Sequence, residues 1–380
     1  MSVTGIICEY NPLHGGHVYQ LQRAREAGGE VIVCLMSGNF VQRGEAAVLP
    51  PIPRAGMALA AGADLVLELP FPFAAGSARY FATAGVRALA GLGCDTLCFG
   101  SESADRKALL EGAHRLLEVD SREGAAPDMG DAAAHFAALG KAPAANDILA
   151  LEYTRAILAE GLPMEIRPIL REGARYSDAT LGVGHPSATA LRAALAREED
   201  VTPFLPPVIG DMLQKALREQ GGMADTARLG TALLARLRTR DLPMDIADCA
   251  GGLLAHLATA AEEATDYAQL CAAAATKRYT NGRIRRALLY LLAGVRREDL
   301  QAPPAYLRLL AANARGREYL GETRKTRTVA VTTKQADIAA LGESAVRQRT
   351  LAAIADALYA ICLPMPTRPA MLTGTPPVML

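Results

Sequence analysis

Asn11-Pro12-Leu13-His14-Gly15-Gly16-His17 follows the apolar run Val3-Thr4-Gly5-Ile6-Ile7-Cys8 and leads into Val18-Tyr19-Gln20-Leu21-Gln22-Arg23-Ala24. The apolar run reads as a buried strand and the segment after the histidines as the start of a helix. Side chains three apart share one face of a helical turn, so His14 and His17 are expected together at the strand's carboxyl end. Open α/β sheets bind ligands at that end of their strands. Gly15 and Gly16 leave room for a phosphate to approach backbone N–H groups, and the helix dipole favours its negative charge. The stretch therefore predicts a site that polarises a phosphate; the plain alternative is a pair of solvated cap histidines. Zinc would need three or four ligands, whereas no third histidine falls nearby and Cys8 lies inside the strand.

Outward from this stretch the pattern repeats. Apolar runs at Ile6–Cys8, Val31–Met36, Leu65–Leu69 and Thr96–Phe99 are each separated by a helix-length segment. That rhythm predicts a parallel sheet with right-handed crossovers, hence an α/β class. Asn146 caps an expected helix over 146–160, and Met164–Leu170 reads as one more strand. Ser187-Ala188-Thr189-Ala190-Leu191-Arg192 opens a helix whose N-terminus forms a second phosphate cradle, with Ser187, Thr189 and Arg192 as its contacts. Pro203–Pro207 reads as a linker. Beyond it the sequence predicts helices without a strand pattern, and a frayed proline-rich end from Thr367. The expected division is therefore 1–200 and 201–380.

Other loops fall over the same mouth. Met36-Ser37-Gly38-Asn39-Phe40-Val41-Gln42-Arg43-Gly44-Glu45 places three strong hydrogen-bonding side chains, Gln42, Arg43 and Glu45, after the second strand. Gly100, in Phe99-Gly100-Ser101-Glu102, would let backbone approach an adenine or a ribose.

Composition narrows the class. No run approaches ~18 apolar residues and no signal-peptide pattern opens the chain, so a soluble, cytoplasmic protein without membrane attachment is expected. Cys8, Cys34, Cys94, Cys98, Cys249, Cys271 and Cys362 are scattered without a Cys-x-x-Cys pair, and read as reduced core residues. Net charge is zero. Residues 275–327, however, hold 13 Lys and Arg against 4 Asp and Glu. In their densest part, Thr276 to Arg286, Lys277, Arg278, Arg283, Arg285 and Arg286 could neutralise phosphates while Tyr279 stacks a base.

Taken together, the Glu9–His17, Met36–Glu45, Gly62–Pro70, Phe99–Glu102, Asn146, Ser187–Arg192 and Thr276–Arg286 stretches resemble the bacterial tRNA(Met) cytidine acetate ligases, from near residue 3 to about 320. The resemblance implies a Rossmann-like nucleotidyltransferase domain with a parallel sheet, followed by a mostly helical, locally basic tRNA-binding domain. It implies an enzyme that uses ATP and acetate to make N4-acetylcytidine at the wobble position (C34) of elongator tRNA(Met), releasing AMP and pyrophosphate. Carried over by residue, it puts ATP on Ile7, Cys8, Glu9, Tyr10, Asn11, Pro12, Leu13, His14, Gly15, Gly16, His17, Val18, Tyr19 and Gln20. Gly100, Asn146, Arg171 and Glu172 complete that set, with His14 and His17 as the catalytic pair at the α-phosphate. Pro51-Ile52 stands where the family usually has Lys-Trp, and Leu13 and Gly15 replace a usual Phe and Asn.

The implied chemistry suits these residues. Acetate cannot acylate an amine directly, because oxide would be its leaving group; transfer of AMP gives it a good one. Positioning and charge stabilisation suffice, with Mg²⁺ expected on the phosphates and no protein nucleophile. The departing pyrophosphate would fall to Ser187, Thr189 and Arg192, and the RNA to the basic helical part. Nothing calls for a resident metal or a protein partner. Two other readings fit parts of the pattern: another acid-adenylating nucleotidyltransferase with a small-molecule acceptor, and an RNA-binding protein that senses ATP without turnover.

Overall fold

The computed structural model describes residues 1–123, 145–171, 186–240, 242–243, 245–365 and 367–380. β1 (Val3–Cys8), β2 (Val31–Ser37), β3 (Leu65–Leu69), β4 (Thr96–Ser101) and β5 (Glu165–Leu170) pair in parallel. Their order across the sheet is β5-β4-β1-β2-β3, with the chain reversing direction between β1 and β4. Such a reversal splays the crossover connections apart and opens a crevice above the strand ends. The histidine stretch leaves β1 there, and Gly100 is the last residue but one of β4.

Alternation along each strand sorts the core onto two faces. Ile7, Val31, Val33, Leu35, Leu67 and Leu97 pack on one side with α3 (Ala78–Leu92) and the helix Ala145–Ala159. Ile6, Cys8, Ile32, Cys34, Met36 and Val66 pack on the other with α1 (Gly15–Glu26), α2 (Pro51–Ala60) and the helix Pro207–Gln220. Covering both faces explains why β1 to β4 read as near-continuous apolar runs. Each fully buried aliphatic side chain contributes about 1.5–3 kcal/mol. All seven cysteines are free and buried, as their apolar settings predicted.

Beyond residue 200 the chain is mostly helical, but the expectation of no strands there is corrected. β6 (Tyr306–Ala312) pairs antiparallel with β3, matching Glu68 with Arg308, and β7 (Ala330–Thr332) and β8 (Val378–Met379) both pair with β6. The β6 segment is rich in Leu and Ala, which favour helix by propensity. An unpaired β3 edge competes against that preference, and sheet pairing prevails. The expected frayed end likewise holds a short helix, Pro369–Thr373, before β8. Within Pro203–Pro207, Leu205 is buried and Phe204 and Pro206 are half-buried, while the two end prolines are exposed. The sheet thus takes strands from both sides of residue 200. Among the described residues no helix is long and apolar enough to cross a membrane.

Candidate active site

His14 is the N-cap of α1, and its Nδ1 accepts the Gly16 amide at 3.1 Å. His17 reciprocates, its Nδ1 accepting the His14 amide at 3.3 Å. The two side chains therefore satisfy helix-end donors that Ser/Thr and Glu satisfy in an ordinary capping box. With Nδ1 used as an acceptor, each neutral ring carries its proton on Nε2. The rings lie 3.9 Å apart between centroids, and Tyr10 meets His17 edge-on at 5.0 Å. Burial, His14 and Arg171 hold the His17 pKa well below the ordinary 6.5, so His17 is a neutral donor at physiological pH. Tyr10 has a positive φ of 46°, backbone strain of the kind that gathers at functional turns.

These histidines line a cleft of about 610 Å³. Ile7, Cys8, Glu9, Tyr10, Asn11, Gln20, Gly100, Arg171, Ser187 and Arg192 also line it, as do Gln42 and Arg43 of the loop after β2. Gly16 and Tyr19 line a small adjoining pocket that shares His14, His17 and Arg171. Gly100 packs closely on Arg171: a Cβ there would lie 3.3 Å from Cγ of the arginine. Asp147 ties the end of β4 to the helix Ala145–Ala159, accepting from Ser101 Oγ at 2.6 Å and from the Glu102 amide at 3.0 Å. Arg54 fixes the floor by donating to four carbonyls, those of Glu9, Ser37, Gly38 and Leu49.

Pro12, Leu13, Gly15 and Val18 are not among the lining residues; Pro12, Leu13 and Gly15 are buried and Val18 packs against the core. Thr189 also lies off the cleft surface and accepts from Arg192 at 3.3 Å, while Arg192 donates to the Asn11 carbonyl at 2.8 Å. Ser187 caps its helix by accepting the Ala190 amide at 3.1 Å. The cradle expected from Ser187, Thr189 and Arg192 is thus Ser187 and Arg192 at the surface, with Thr189 as Arg192's support. Asn146 sits in the first turn of its helix; its side chain and all of Glu172 lie outside the described residues.

Residues 1–370 match the family described as HIGH Nucleotidyl Transferase. A tRNA(Met) cytidine acetate ligase of Syntrophotalea carbinolica is 41% identical over 359 residues, 88% of this chain and 85% of that one. Another, from a Geobacillus species, is 31% identical over the full length of both chains. The chain belongs to the tRNA(Met) cytidine acetate ligase family. The crystal structure of Thermotoga maritima TmcAL superposes over both entire chains with a TM-score of 0.88 at 28% identity, and a form bound with alpha-thio ATP with 0.86.

Against the usual pattern of tRNA(Met) cytidine acetate ligases, Pro51 and Ile52 are buried in the first turn of α2 and do not line the cleft. The basic stretch departs further from what its sequence promised. Tyr279 is buried and donates to the Gly251 carbonyl at 2.6 Å, so it presents no face to a base. Arg283 donates to the carbonyls of Asp248 and Ala250, and Arg286 pairs with the Asp248 carboxylate at 2.5 Å. Arg285 pairs with Glu45. Lys277 and Arg278 are exposed. The excess of cations along 275–327 is therefore offset in part by acids from distant sequence, namely Glu45, Asp64, Glu68 and Asp248.

Sequence reasoning missed two parts of this ligase-family cleft. Phe81, Phe99, Ile148, Leu149 and Tyr153 form an apolar wall, but in sequence they carry only a core signal. Thr280, Asn281 and Gly282, at the start of the helix Asn281–Ala293, also face the cleft. Among the described residues, Glu9 is the one carboxylate that lines the cleft, and no group of three potential metal ligands occurs. That donor set suits Mg²⁺ carried on a nucleotide's phosphates and waters better than a protein cage.

Proposed function

We propose that this protein is an ATP-dependent ligase that activates acetate as acetyl-adenylate and transfers the acetyl group to N4 of the wobble cytidine of elongator tRNA(Met). N4-acetylcytidine, AMP and pyrophosphate are the products. The observation that carries this reading is the pair of Nε2–H donors, fixed by reciprocal caps at the reversal point of the sheet, in a cleft shared with Arg43, Arg171 and Arg192. Fixed donors and guanidinium groups stabilise charge that grows on a phosphate without reorganising at the moment of reaction. Attack of the acetate oxygen on the α-phosphorus increases that charge, and Arg192 with Ser187 lies within the same cleft to hold the leaving pyrophosphate. Mg²⁺, when bound on the phosphates, would neutralise further charge there. The apolar wall beside Gly100 suits the adenine. Of the five cations between Thr276 and Arg286, the exposed Lys277 and Arg278 are placed to meet the RNA backbone.

The test is acetate-dependent exchange of labelled pyrophosphate into ATP, in wild type and His17→Ala, followed by digestion of the tRNA to look for acetylcytidine. Exchange with acetate alone, lost in the variant, together with acetylcytidine in tRNA(Met), is the expected result. Exchange without acetylated RNA would indicate a small-molecule acceptor. No exchange under any condition would indicate an ATP-sensing RNA binder.

A further inference from the structure

Acyl transfer to an amine must shed a proton, and few groups in the cleft can receive one. The Nδ1 atoms of His14 and His17 are occupied by backbone amides and their Nε2 atoms already carry protons. Burial pushes the Cys8 thiol and the Tyr10 and Tyr153 hydroxyls up, so they stay protonated. The arginines are permanently charged, and amide and hydroxyl side chains are not bases. Among the described residues that line the cleft, Glu9 is the remaining candidate and the single carboxylate.

Its placement suits the task. Glu9 directly follows β1, and its backbone carbonyl is pinned by Arg54 Nη1 at 2.5 Å. Oε1 accepts the Gln42 amide at 3.0 Å, which sets the plane of the carboxylate. An ionised carboxylate offers about four acceptor positions, so this bond leaves capacity for a substrate N–H.

We propose that Glu9 is the general base of the acyl-transfer half-reaction, accepting the hydrogen bond and then the proton of the attacking cytidine amine. This rests on the function proposed above. The N4 lone pair forms the new N–C bond to the acetyl carbon, and the C–O bond to the adenylate phosphate breaks. The bonding electrons leave with AMP, and the proton passes from N4 to the Glu9 carboxylate and on to solvent. Burial raises the Glu9 pKa above the ordinary 4.5, which makes it a stronger base than a solvated carboxylate. Arg192 from the helix Ala188–Ala196 and Arg43 from the loop pull it back toward ionisation, while Glu45 pushes it up. Arg54 of α2 and Tyr153 of the helix Ala145–Ala159 also face it.

The experiment compares two readouts in wild type, Glu9→Gln and Glu9→Asp. One is single-turnover acetyl transfer from synthetic acetyl-adenylate to tRNA(Met) across pH; the other is acetate-dependent pyrophosphate exchange. In Glu9→Gln, transfer relative to exchange is expected to drop by about 100-fold or more. Wild-type transfer should fall as pH drops through the Glu9 pKa; that limb should vanish in Glu9→Gln and return in part in Glu9→Asp. Equal losses in both readouts would overturn the proposal and make Glu9 a nucleotide contact. Unaltered transfer would also overturn it, making the adenylate phosphate the proton acceptor. Should Glu9→Gln fail to fold, Glu9→Asp decides on the same ratio. Wild type unable to use acetyl-adenylate would overturn the proposed function itself.

Discussion

Gly44 packs backbone to backbone on Arg286: a Cβ built on Gly44 would lie 2.6 Å from the Arg286 amide nitrogen. Its φ of +74° already disfavours any other residue. The loop carrying Gln42 and Arg43 is thereby seated directly on the helix Asn281–Ala293. Gly44→Ala should cost roughly 2–4 kcal/mol, from left-handed strain and displaced backbone. Urea denaturation reads the stability, and a loss of pyrophosphate exchange beyond the unfolded fraction reads the displaced loop.

Asp356 is buried, accepts from Asn39 Nδ2 at 2.6 Å, and is pushed up to about 7 by burial and by Glu68. Its folded pKa exceeds the unfolded value of 3.8, so the stability it contributes is lost as pH rises from 3.8 through about 7. Asp356→Asn removes the ionisation cost. It should stabilise the protein by about 1 to 3 kcal/mol at pH 8, with a smaller gain at pH 5, in paired thermal melts.

His17 behaves in the opposite sense. Its folded pKa lies below the unfolded 6.5, so the unfolded chain takes up the proton first and stability falls as pH drops below 6.5. His17→Asn should flatten that part of the Tm-against-pH curve. His17 should contribute no titration step at 6.5 to acetate-dependent exchange in wild type, because its ring is already neutral there.

Cations of the basic stretch should separate into two groups. Lys277→Ala and Arg278→Ala should weaken tRNA binding and reduce its salt slope by about 1 for each lost phosphate contact, with thermal stability little changed. Arg286→Ala leaves the Asp248 carboxylate buried without its partner and should destabilise the fold by about 3–5 kcal/mol. Filter binding across a salt series, alongside melting curves, distinguishes these outcomes.

β1 to β4 were legible because each is buried on both faces and therefore reads as an apolar run, whereas β5 is a half-exposed edge strand. β6 was not, since Tyr306–Ala312 is locally as good a helix as a strand and only β3, some 240 residues earlier, decides between them. His14 and His17 were visible as a pair. Their shared capping, which makes both rings donors, depends on helix-end geometry that spacing alone does not specify. Counting charge along residues 275–327 overstated the free cations, because Glu45 and Asp248 lie outside that window. The apolar wall was hidden for a simpler reason: Phe99 and Tyr153 have the same sequence signature in a core as beside an adenine.

The antiparallel seam between β3 and β6 bears on how the molecule can be cut. A fragment ending near residue 200 would keep the histidines and yet bare a strand edge of Leu65, Val66, Leu67 and Leu69, a template for self-association. The nucleotide half and the remainder are therefore inseparable in manufacture: insertions belong in surface loops, and neither half can be traded for a foreign one without reclosing that edge.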